Sequence, residues 1–295
     1  MAIARIAVNG VAPARRRSQL AMAWGRYKKD RLAVVGLAWV ILFLVIGIIG
    51  PWIAPYNYAT TNFLTANQGP TWQHIMGTDN LGHDMFSEIL WSVQNALEVA
   101  LGATLISFIV GVALGLWAGL KGGWADMVVM RLVDFMFAFP TFFMDLILVT
   151  KFGRGMGPIL FAIGITGWAG YARLIRSLVL GMRNGEMVEA ARALGATQPH
   201  IMRKYLFPNV MNNMIVALAF GIPGDLTVMA GLSVVGMGLR PPLPSFGNMI
   251  AAAGSNMLGY PWLMYFPAGI FALTLLAFLF VADGLQEALN PKGGF

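Results

Sequence analysis

Six long apolar stretches, separated by polar segments, constrain the fold of this chain more than any other feature of its sequence. The first stretch, residues 32–50, carries no charged residue and has about the 20 residues that an α-helix needs to cross a bilayer. Only 11% of the chain is charged, whereas soluble domains have about 25% charged residues. The further predicted spans are residues 96–120, 127–149, 158–178, 210–235 and 262–283. These stretches predict an all-α integral membrane protein with six transmembrane helices.

The basic residues are unevenly distributed along the chain. Residues 1–31 form a basic tail. If the N-terminus lies inside the cell, the other Lys and Arg residues also lie on the inner side, apart from Lys151, Arg154 and Arg240. Such an excess is typical of the cytoplasmic side of a membrane protein. A basic run directly before a span indicates a cytoplasmic anchor and argues against a nucleic-acid partner.

This charge bias predicts the orientation of the whole chain. Both termini and the polar loop 181–208 are expected in the cytoplasm. The polar segments 51–95 and 236–261 are expected on the outer side. Residues 32–295 then form one transmembrane domain behind the basic tail, without a second soluble domain.

Missing residue types exclude several classes of site. The chain has no cysteine, so disulfides and thiolate metal sites cannot form. Its three histidines, His74, His83 and His200, are too scattered in sequence to suggest a metal cluster. No phosphate-binding loop and no His-Glu-x-x-His pattern occurs, and the acidic residues show no hydrolytic pairing. The sequence therefore predicts no catalytic residue, metal or cofactor in this chain.

Charged residues inside the predicted spans are costly unless they are paired or hydrated. Arg131 and Asp134 are spaced i, i+3, which predicts an internal ion pair, with a proton-relay role for Asp134 as the alternative. Asp145 is expected either at the membrane interface or facing a cavity in a translocation path. Asp225 is a second candidate for such a path. Breaks or kinks are expected at two prolines within the spans, Pro140 and Pro223.

The longest markedly polar run after the tail, residues 185–208, predicts two short helices joined by a bend. In the first helix, Met187, Ala190, Ala191 and Leu194 recur at helical spacing and share one face. This face is small and apolar, which suits a surface that fits into another protein's groove.

A glycine and two prolines predict the shape of the same run. Gly195 follows the first helix, where a left-handed residue ends a helix at no steric cost for glycine. Pro199 suits the first turn of the second helix. That helix carries Ile201 and Tyr205, and Pro208 is expected to close it before the next span.

One spacing within the run is specific. It consists of Glu189-Ala190-Ala191, three residues, Gly195, nine residues, Tyr205, one residue, and Phe207-Pro208. This spacing resembles the Glu-Ala-Ala signature of ABC importer permeases, with Tyr205 in place of Ile and Phe207 in place of Leu. In that family the motif is the coupling helix, which docks into a groove of a cytoplasmic ATPase.

The resemblance implies a role for each matching position. Glu189 would make a polar contact across the interface, Ala190 and Ala191 would permit close approach, and Gly195 would set the bend. The rest of the expected coupling surface is Leu194, Ile201, Tyr205 and Pro208.

The chain resembles the C-type permease subunits of dipeptide and oligopeptide importers from about residue 25 onwards. Residues 77–84, Gly-Thr-Asp-Asn-Leu-Gly-His-Asp, are similar to a loop of that family, with His83 in place of Arg. Glu88 also stands where the family often has Arg. Further matching segments are Arg131-Leu-Val-Asp134, Tyr171-Ala-Arg173 and Gly236-Met-Gly-Leu239.

The resemblance implies the transmembrane domain of a type I ABC importer in a bacterial plasma (inner) membrane. The expected partners are membrane lipid, a homologous second permease, two cytoplasmic ATPase subunits and an extracytoplasmic peptide-binding protein. ATP and Mg²⁺ would be bound by the ATPases, so this chain would not be an enzyme. Nickel, glutathione or another small solute is the alternative cargo, and an ion-coupled secondary transporter or an intramembrane enzyme is the alternative class.

Overall fold

The computed structural model describes residues 19–289. Within them the regular structure is helical, apart from one isolated β-bridge between Thr78 and Asp84. The α-helices are α1 (Gln19–Tyr27), α2 (Arg31–Ile53), α3 (Met85–Lys121), α4 (Gly123–Ala138), α5 (Thr141–Phe152), α6 (Met156–Thr166), α7 (Trp168–Arg183), α8 (Glu186–Ala193), α9 (Gln198–Ile201), α10 (Phe207–Val234), α11 (Phe246–Ala253) and α12 (Trp262–Leu289). A 3₁₀ turn covers Phe63–Thr65, and a π-helical segment, Met202–Leu206, joins α9 to α10. The basic residues before residue 19 and after residue 289 lie outside the described residues.

The helices confirm the predicted class of fold. Five helical segments are long and apolar enough to cross a membrane: Arg31–Ile53, Met85–Lys121, Met156–Arg183, Gln198–Val234 and Trp262–Leu289. Helices α4 and α5 pass the same test together, and they are bent by 86° at the break between them. The described residues therefore hold six spans when this bent pair is one broken span.

The prolines inside the spans differ in their effect. Pro140 is the N-cap residue of α5, at the sharp bend, so the predicted interruption of the third span is confirmed. Pro223 lies inside α10, which continues from Phe207 to Val234, so the predicted interruption of the fifth span is wrong. A proline is tolerated in a membrane helix when neighbouring groups satisfy the freed backbone.

Helix α3 is longer than the sequence predicted. Instead of a span that begins at residue 96, one helix of 37 residues runs from Met85 to Lys121. Its start is fixed by Asp84, whose carboxylate accepts hydrogen bonds from the backbone N–H and the hydroxyl of Ser87 at 2.8 and 2.7 Å. A carboxylate in this position satisfies a free N–H of the first turn and interacts favourably with the helix dipole.

Glycines allow α3 and α7 to pack very closely. Gly111, Gly115 and Gly119 repeat every four residues and so lie on one face of α3. A Cβ atom on Gly115 would lie 2.6 Å from the carbonyl oxygen of Ala172 in α7, and one on Gly119 would lie 2.8 Å from Val179 Cβ. Small residues at this spacing are a usual device of membrane helix pairs, because they let the backbones approach.

The remaining helices build the core around this pair. Phe43 of α2 packs between Phe246 of α11 and Phe278 of α12, with ring centroids 6.5 and 6.3 Å away. Helix α1 lies within the predicted basic tail and packs against α12, where Tyr27 is buried and donates a hydrogen bond to the carbonyl oxygen of Ala33 at 2.9 Å. The predicted segment 236–261 contains α11, which the sequence analysis missed.

Candidate functional site

The loop between α7 and α10 forms the bent pair of helices that the sequence predicted. Helix α8 starts after Gly185 and ends at Ala193. Gly195 then adopts a left-handed conformation with φ +82°, as predicted. Its N–H donates to the carbonyl oxygen of Arg192, and the next N–H, of Ala196, donates to that of Ala191, at 2.9 and 3.0 Å. These two bonds satisfy the last carbonyls of the helix and set the bend.

The two faces of α8 have different surroundings. Val188 is fully buried and Ala191 is 5% exposed, and both pack in one cluster with residues of α3, α7 and α10. Met187, Ala190 and Leu194, on the adjoining side of the helix, are exposed, Leu194 by 89%. The predicted apolar face is therefore divided, and Ala191 belongs to the chain's own core rather than to a docking surface.

The second half of the loop is more deeply integrated than predicted. Ile201 is fully buried in the same cluster, so it is unable to touch a partner directly. Tyr205 is partly buried, and Pro208 is exposed. Pro208 does not close the helix, because it occupies the first turn of α10, where a proline N–H would be unpaired anyway.

The exposed part of the loop keeps half of the predicted coupling residues together, namely Glu189, Ala190, Leu194 and Gly195. We call Met187, Glu189, Ala190, Leu194 and Gly195 the α8 surface. All five are exposed and belong to α8 or its C-terminal bend. Since Leu194 contacts little of its own chain, this surface presents apolar area beside a carboxylate.

Two ion pairs tie α4 to α7. Asp134 Oδ1 accepts from Arg173 Nη2 at 2.6 Å, so the predicted pair with Arg131 is wrong. Arg131 and Asp134 share a helix, but the tertiary packing supplies a better-placed guanidinium. Asp126 accepts a bidentate pair of bonds from Arg176, at 2.8 and 2.6 Å.

The carboxylates proposed for a translocation path occupy different environments. Asp145 is 1% exposed, and its carboxylate accepts from the hydroxyl of Thr166 at 2.6 Å. It is enclosed by the rest of the chain, and both its depth in the membrane and its place beside a path stay predictions. Asp225 is partly exposed and accepts from the hydroxyl of Thr104.

A cavity opens near the N-terminal end of α10. Its volume is about 340 Å³, and its polar lining includes Asn212, Asn213 and Gln286. Leu174 and Phe220 supply apolar parts of the wall. Helices α7, α10 and α12 therefore line a partly polar cavity that the sequence did not predict.

The loop before α3 is held by its own side chains. Asp79 Oδ1 accepts from the backbone N–H groups of Leu81 and His83, at 2.9 and 2.7 Å. Gly82 between them has φ +80°, and a Cβ there would lie 1.9 Å from the carbonyl oxygen of Asn62. Only glycine fits this turn, which explains its place in the loop.

The same loop brings together a set of groups that the sequence analysis did not predict. Nδ1 of His83 lies 2.9 Å from Asp79 Oδ2 and 3.7 Å from Glu88 Oε1. Clustered histidines are the usual sequence signal of a metal site, and this set has only one. Its signal was a histidine with acidic residues at i−4 and i+5, in a segment without any Lys or Arg.

Comparison with known proteins supplies the family. Residues 111–293 match the family described as binding-protein-dependent transport system inner membrane component, and residues 18–70 match the N-terminal TM domain of oligopeptide transport permease C. The chain is 34% identical to the oligopeptide transport system permease protein OppC of Bacillus subtilis over 90% of this chain and 88% of that protein. It is 36% identical to the dipeptide transport system permease protein DppC of the same organism, over 92% and 85%.

Two further likenesses extend this comparison. The glutathione transport system permease protein GsiD of Pectobacterium atrosepticum is 34% identical over 91% of this chain and 90% of that protein. A chain of the MetNI methionine ABC transporter, in an inward-facing conformation, matches with a TM-score of 0.58 and 19% identity, over 69% of this chain and 96% of that one. This second likeness concerns the fold alone. The chain belongs to the family of inner membrane components of binding-protein-dependent transport systems, and it is a membrane transport subunit.

Proposed function

We propose that this chain is a permease subunit of an ATP-driven importer that carries di- and oligopeptides across the bacterial inner membrane. Permeases for oligopeptides and dipeptides are among its relatives, along nearly the full length of the chain. A homologous second permease supplies the other half of the path. Two cytoplasmic ATPases bind ATP and Mg²⁺, and this chain needs no cofactor of its own.

The observation that carries the proposal is the divided environment of α8. Its solvent-exposed side, the α8 surface, is small and offers apolar area beside Glu189. Its inner side, Val188 and Ala191, shares a core with Val179 of α7 and Val210 of α10. A helix with one face free and the other anchored in two spans is suited to transmit the movement of a docked partner.

The mechanism follows as a shift between two conformations. ATP binding draws the two ATPases together, and the α8 surface moves with the ATPase on which it sits. Because α8 is packed against α7 and α10 rather than tethered by a flexible linker, this displacement reaches the spans directly. Interfaces and packed cores are bistable, so a small shift at such a contact is amplified into an opening of the path.

The proposal includes an orientation and a path. Both termini and α8 face the cytoplasm, as the distribution of basic residues predicts. The cavity at Asn212, Asn213 and Gln286 lies on the half of the molecule that holds α8, and it forms part of the inward-facing path. The peptide-binding protein docks on the opposite side, over the segments that contain the outer loop and α11.

Affinity purification of the tagged chain from the native membrane, followed by mass spectrometry, tests this proposal. We expect a second permease and one or two ATPases to be recovered with the wild type. Glu189→Arg and Leu194→Asp should lose the ATPases but keep the second permease, because both residues are exposed. Lys151→Glu, a charge reversal at the opposite membrane face, is the control and should keep both partners. Recovery of the chain alone, under conditions that preserve other ABC complexes, would contradict the proposal.

Glutathione is the second candidate cargo, because a glutathione permease is as similar to this chain as the oligopeptide permease is. Glutathione is itself a tripeptide, so the same path would accept it. Uptake by the reconstituted complex with its binding protein distinguishes the two. Unlabelled dipeptides, oligopeptides and glutathione would each compete against each labelled substrate. The preferred cargo is the one that inhibits uptake of the others at the lowest concentration.

A further inference from the structure

We propose that Asp79, His83 and Glu88 bind a Zn²⁺ ion at the start of α3. The ligand atoms of the three side chains all lie within 4.8 Å of one another. Zn²⁺ is bound by imidazole nitrogens and carboxylate oxygens at about 2.0–2.2 Å, which puts tetrahedral ligand atoms about 3.3–3.6 Å apart. The separations of 2.9 and 3.7 Å from His83 Nδ1 to the two carboxylates bracket that range.

The lone pairs needed for a metal are available. Asp79 uses Oδ1 for two backbone N–H groups, so the loop orients its carboxylate and directs Oδ2 at the imidazole. Hydrogen bonds of this kind, which hold a ligating carboxylate in place, are typical of metal sites. Glu88 has no hydrogen-bond donor among the described residues, although its side chain is only 13% exposed.

A proton on His83 does not satisfy this arrangement as well as a metal ion does. The same atom, Nδ1, faces both carboxylates, and one N–H donates along one direction only. The 2.9 Å contact serves Asp79 and leaves Glu88 at 3.7 Å, which is beyond hydrogen-bond distance. A divalent ion between the three groups would contact all of them and balance both negative charges.

Within residues 19–289, no Lys or Arg forms an ion pair with these carboxylates. Segment 51–95 has no Lys or Arg. The nearby Asp84 is a further acid, and it is occupied by His74, at 2.9 Å, and by Ser87. Arg240, next to the opposite wall, turns its guanidinium towards Gly153. An enclosed carboxylate without a donor or a cation is costly in its ionised form, and a bound cation would offset that cost.

The surroundings leave room for an ion and for its remaining ligand. The three side chains line a pocket of about 310 Å³. The opposite wall is formed by the prolines of the segment before α11, by Asn248 and by Asn256. Three protein ligands with an open fourth position would hold a water molecule in this pocket. The ion would tie the outer loop to the first turn of α3, and this inference is independent of the cargo.

Cobalt binding by the purified full-length chain tests the proposal. The protein carries a tag without histidines, is stripped with a chelator, and is titrated with Co²⁺ in detergent. We expect one Co²⁺ per chain, with the intense visible absorption of a four-coordinate site, and its displacement by Zn²⁺. His83→Gln and Glu88→Gln should each weaken binding by at least about tenfold, which is the lower end of what even the loss of a supporting group costs.

His200→Gln is the matched control, since His200 is exposed on the loop at the other end of the molecule, and it should bind like the wild type. Circular dichroism and gel filtration identify variants that fail to fold. If the folded wild type gives no such absorption, or if both Gln variants bind Co²⁺ as tightly as the wild type, the proposal is wrong. His83 would then act only as a hydrogen-bond partner of Asp79.

Discussion

Asp134 of α4 accepts a hydrogen bond of 2.6 Å from Arg173 of α7, across 39 residues of sequence. The guanidinium also lies over the ring of Phe137, 4.5 Å from its centroid, so one side chain of α7 holds two groups of α4. The bidentate pair of Asp126 and Arg176 lies further along the same helix pair and is more enclosed. Together they fix the half-span before the bend at Pro140 against the helix that leads into α8.

The two ion pairs should differ in their contribution to stability. We expect Asp126→Asn to lower the free energy of unfolding by about 1.5–3 kcal/mol, because it removes a charge-assisted bidentate contact that is largely shielded from water. Asp134→Asn should cost about 0–1 kcal/mol, since both partners are about half exposed. Thermal unfolding in detergent, followed by tryptophan fluorescence, compares them. A larger loss for Asp134→Asn would contradict this order.

The contact between α3 and α7 predicts opposite effects for the same substitution at two glycines. Gly115→Ala should destabilise the protein by about 1–3 kcal/mol, because the new Cβ meets a backbone oxygen at 2.6 Å. Gly181→Ala in α7 has open space and should stabilise by about 0.5–1 kcal/mol, as alanine in place of a helical glycine does. Melting temperatures of the two variants measure the difference. The prediction fails if both shift in the same direction.

The bend after α8 depends on one left-handed residue. Gly195→Val should cost about 1–2 kcal/mol at φ +82°, because a β-branched side chain is strained there even in open space. We expect normal insertion into the membrane but weak ATP-driven transport. Gly195→Asn is the control, because asparagine tolerates this conformation, and it should transport nearly as well as the wild type. If the Val variant transports as well as the wild type, the conformation of this bend is not needed for coupling.

Asp145 and Asp225 should respond differently to neutralisation. In Asp225→Asn and Asp145→Asn the new amide oxygen still accepts from Thr104 or Thr166, so folding should persist. We expect Asp225→Asn to reduce uptake of cationic peptides more than that of neutral ones, because this carboxylate is partly exposed. Asp145→Asn, enclosed in the chain, should affect both equally. Uptake of matched lysine and glutamine peptides measures this, and equal effects at Asp225 would remove it from the path.

The sequence was informative wherever a local rule determined the structure. The length of the apolar stretches predicted the spans, and Gly195 and Pro140 marked real interruptions. The sequence was less informative where a residue far along the chain determines which contact forms. Arg131 is near Asp134 on its own helix, but Arg173 comes from another helix and has the better geometry. Helical periodicity places Ala190 and Ala191 side by side, and only the packing of α7 and α10 shows which one turns inward.

Contacts between residues far apart in the sequence were also not predicted. The repeat Gly111, Gly115, Gly119 was visible in the sequence, but its meaning depends on the partner helix that lies against it. The set of Asp79, His83 and Glu88 required the turn at Gly82, which folds the loop back onto α3. Such turns bring side chains together in ways that the spacing of one residue type does not indicate.

The length of α3 has a consequence for how the two membrane faces communicate. Its 37 residues extend about 55 Å at 1.5 Å per residue, whereas the hydrocarbon core of a bilayer is about 30 Å thick. One rod therefore begins beside Glu88 and, at Val112, enters the core that anchors α8. We expect a tilt imposed at one end of this helix to be transmitted towards the other. What docks outside and what pulls inside would thus compete for the angle of a single helix.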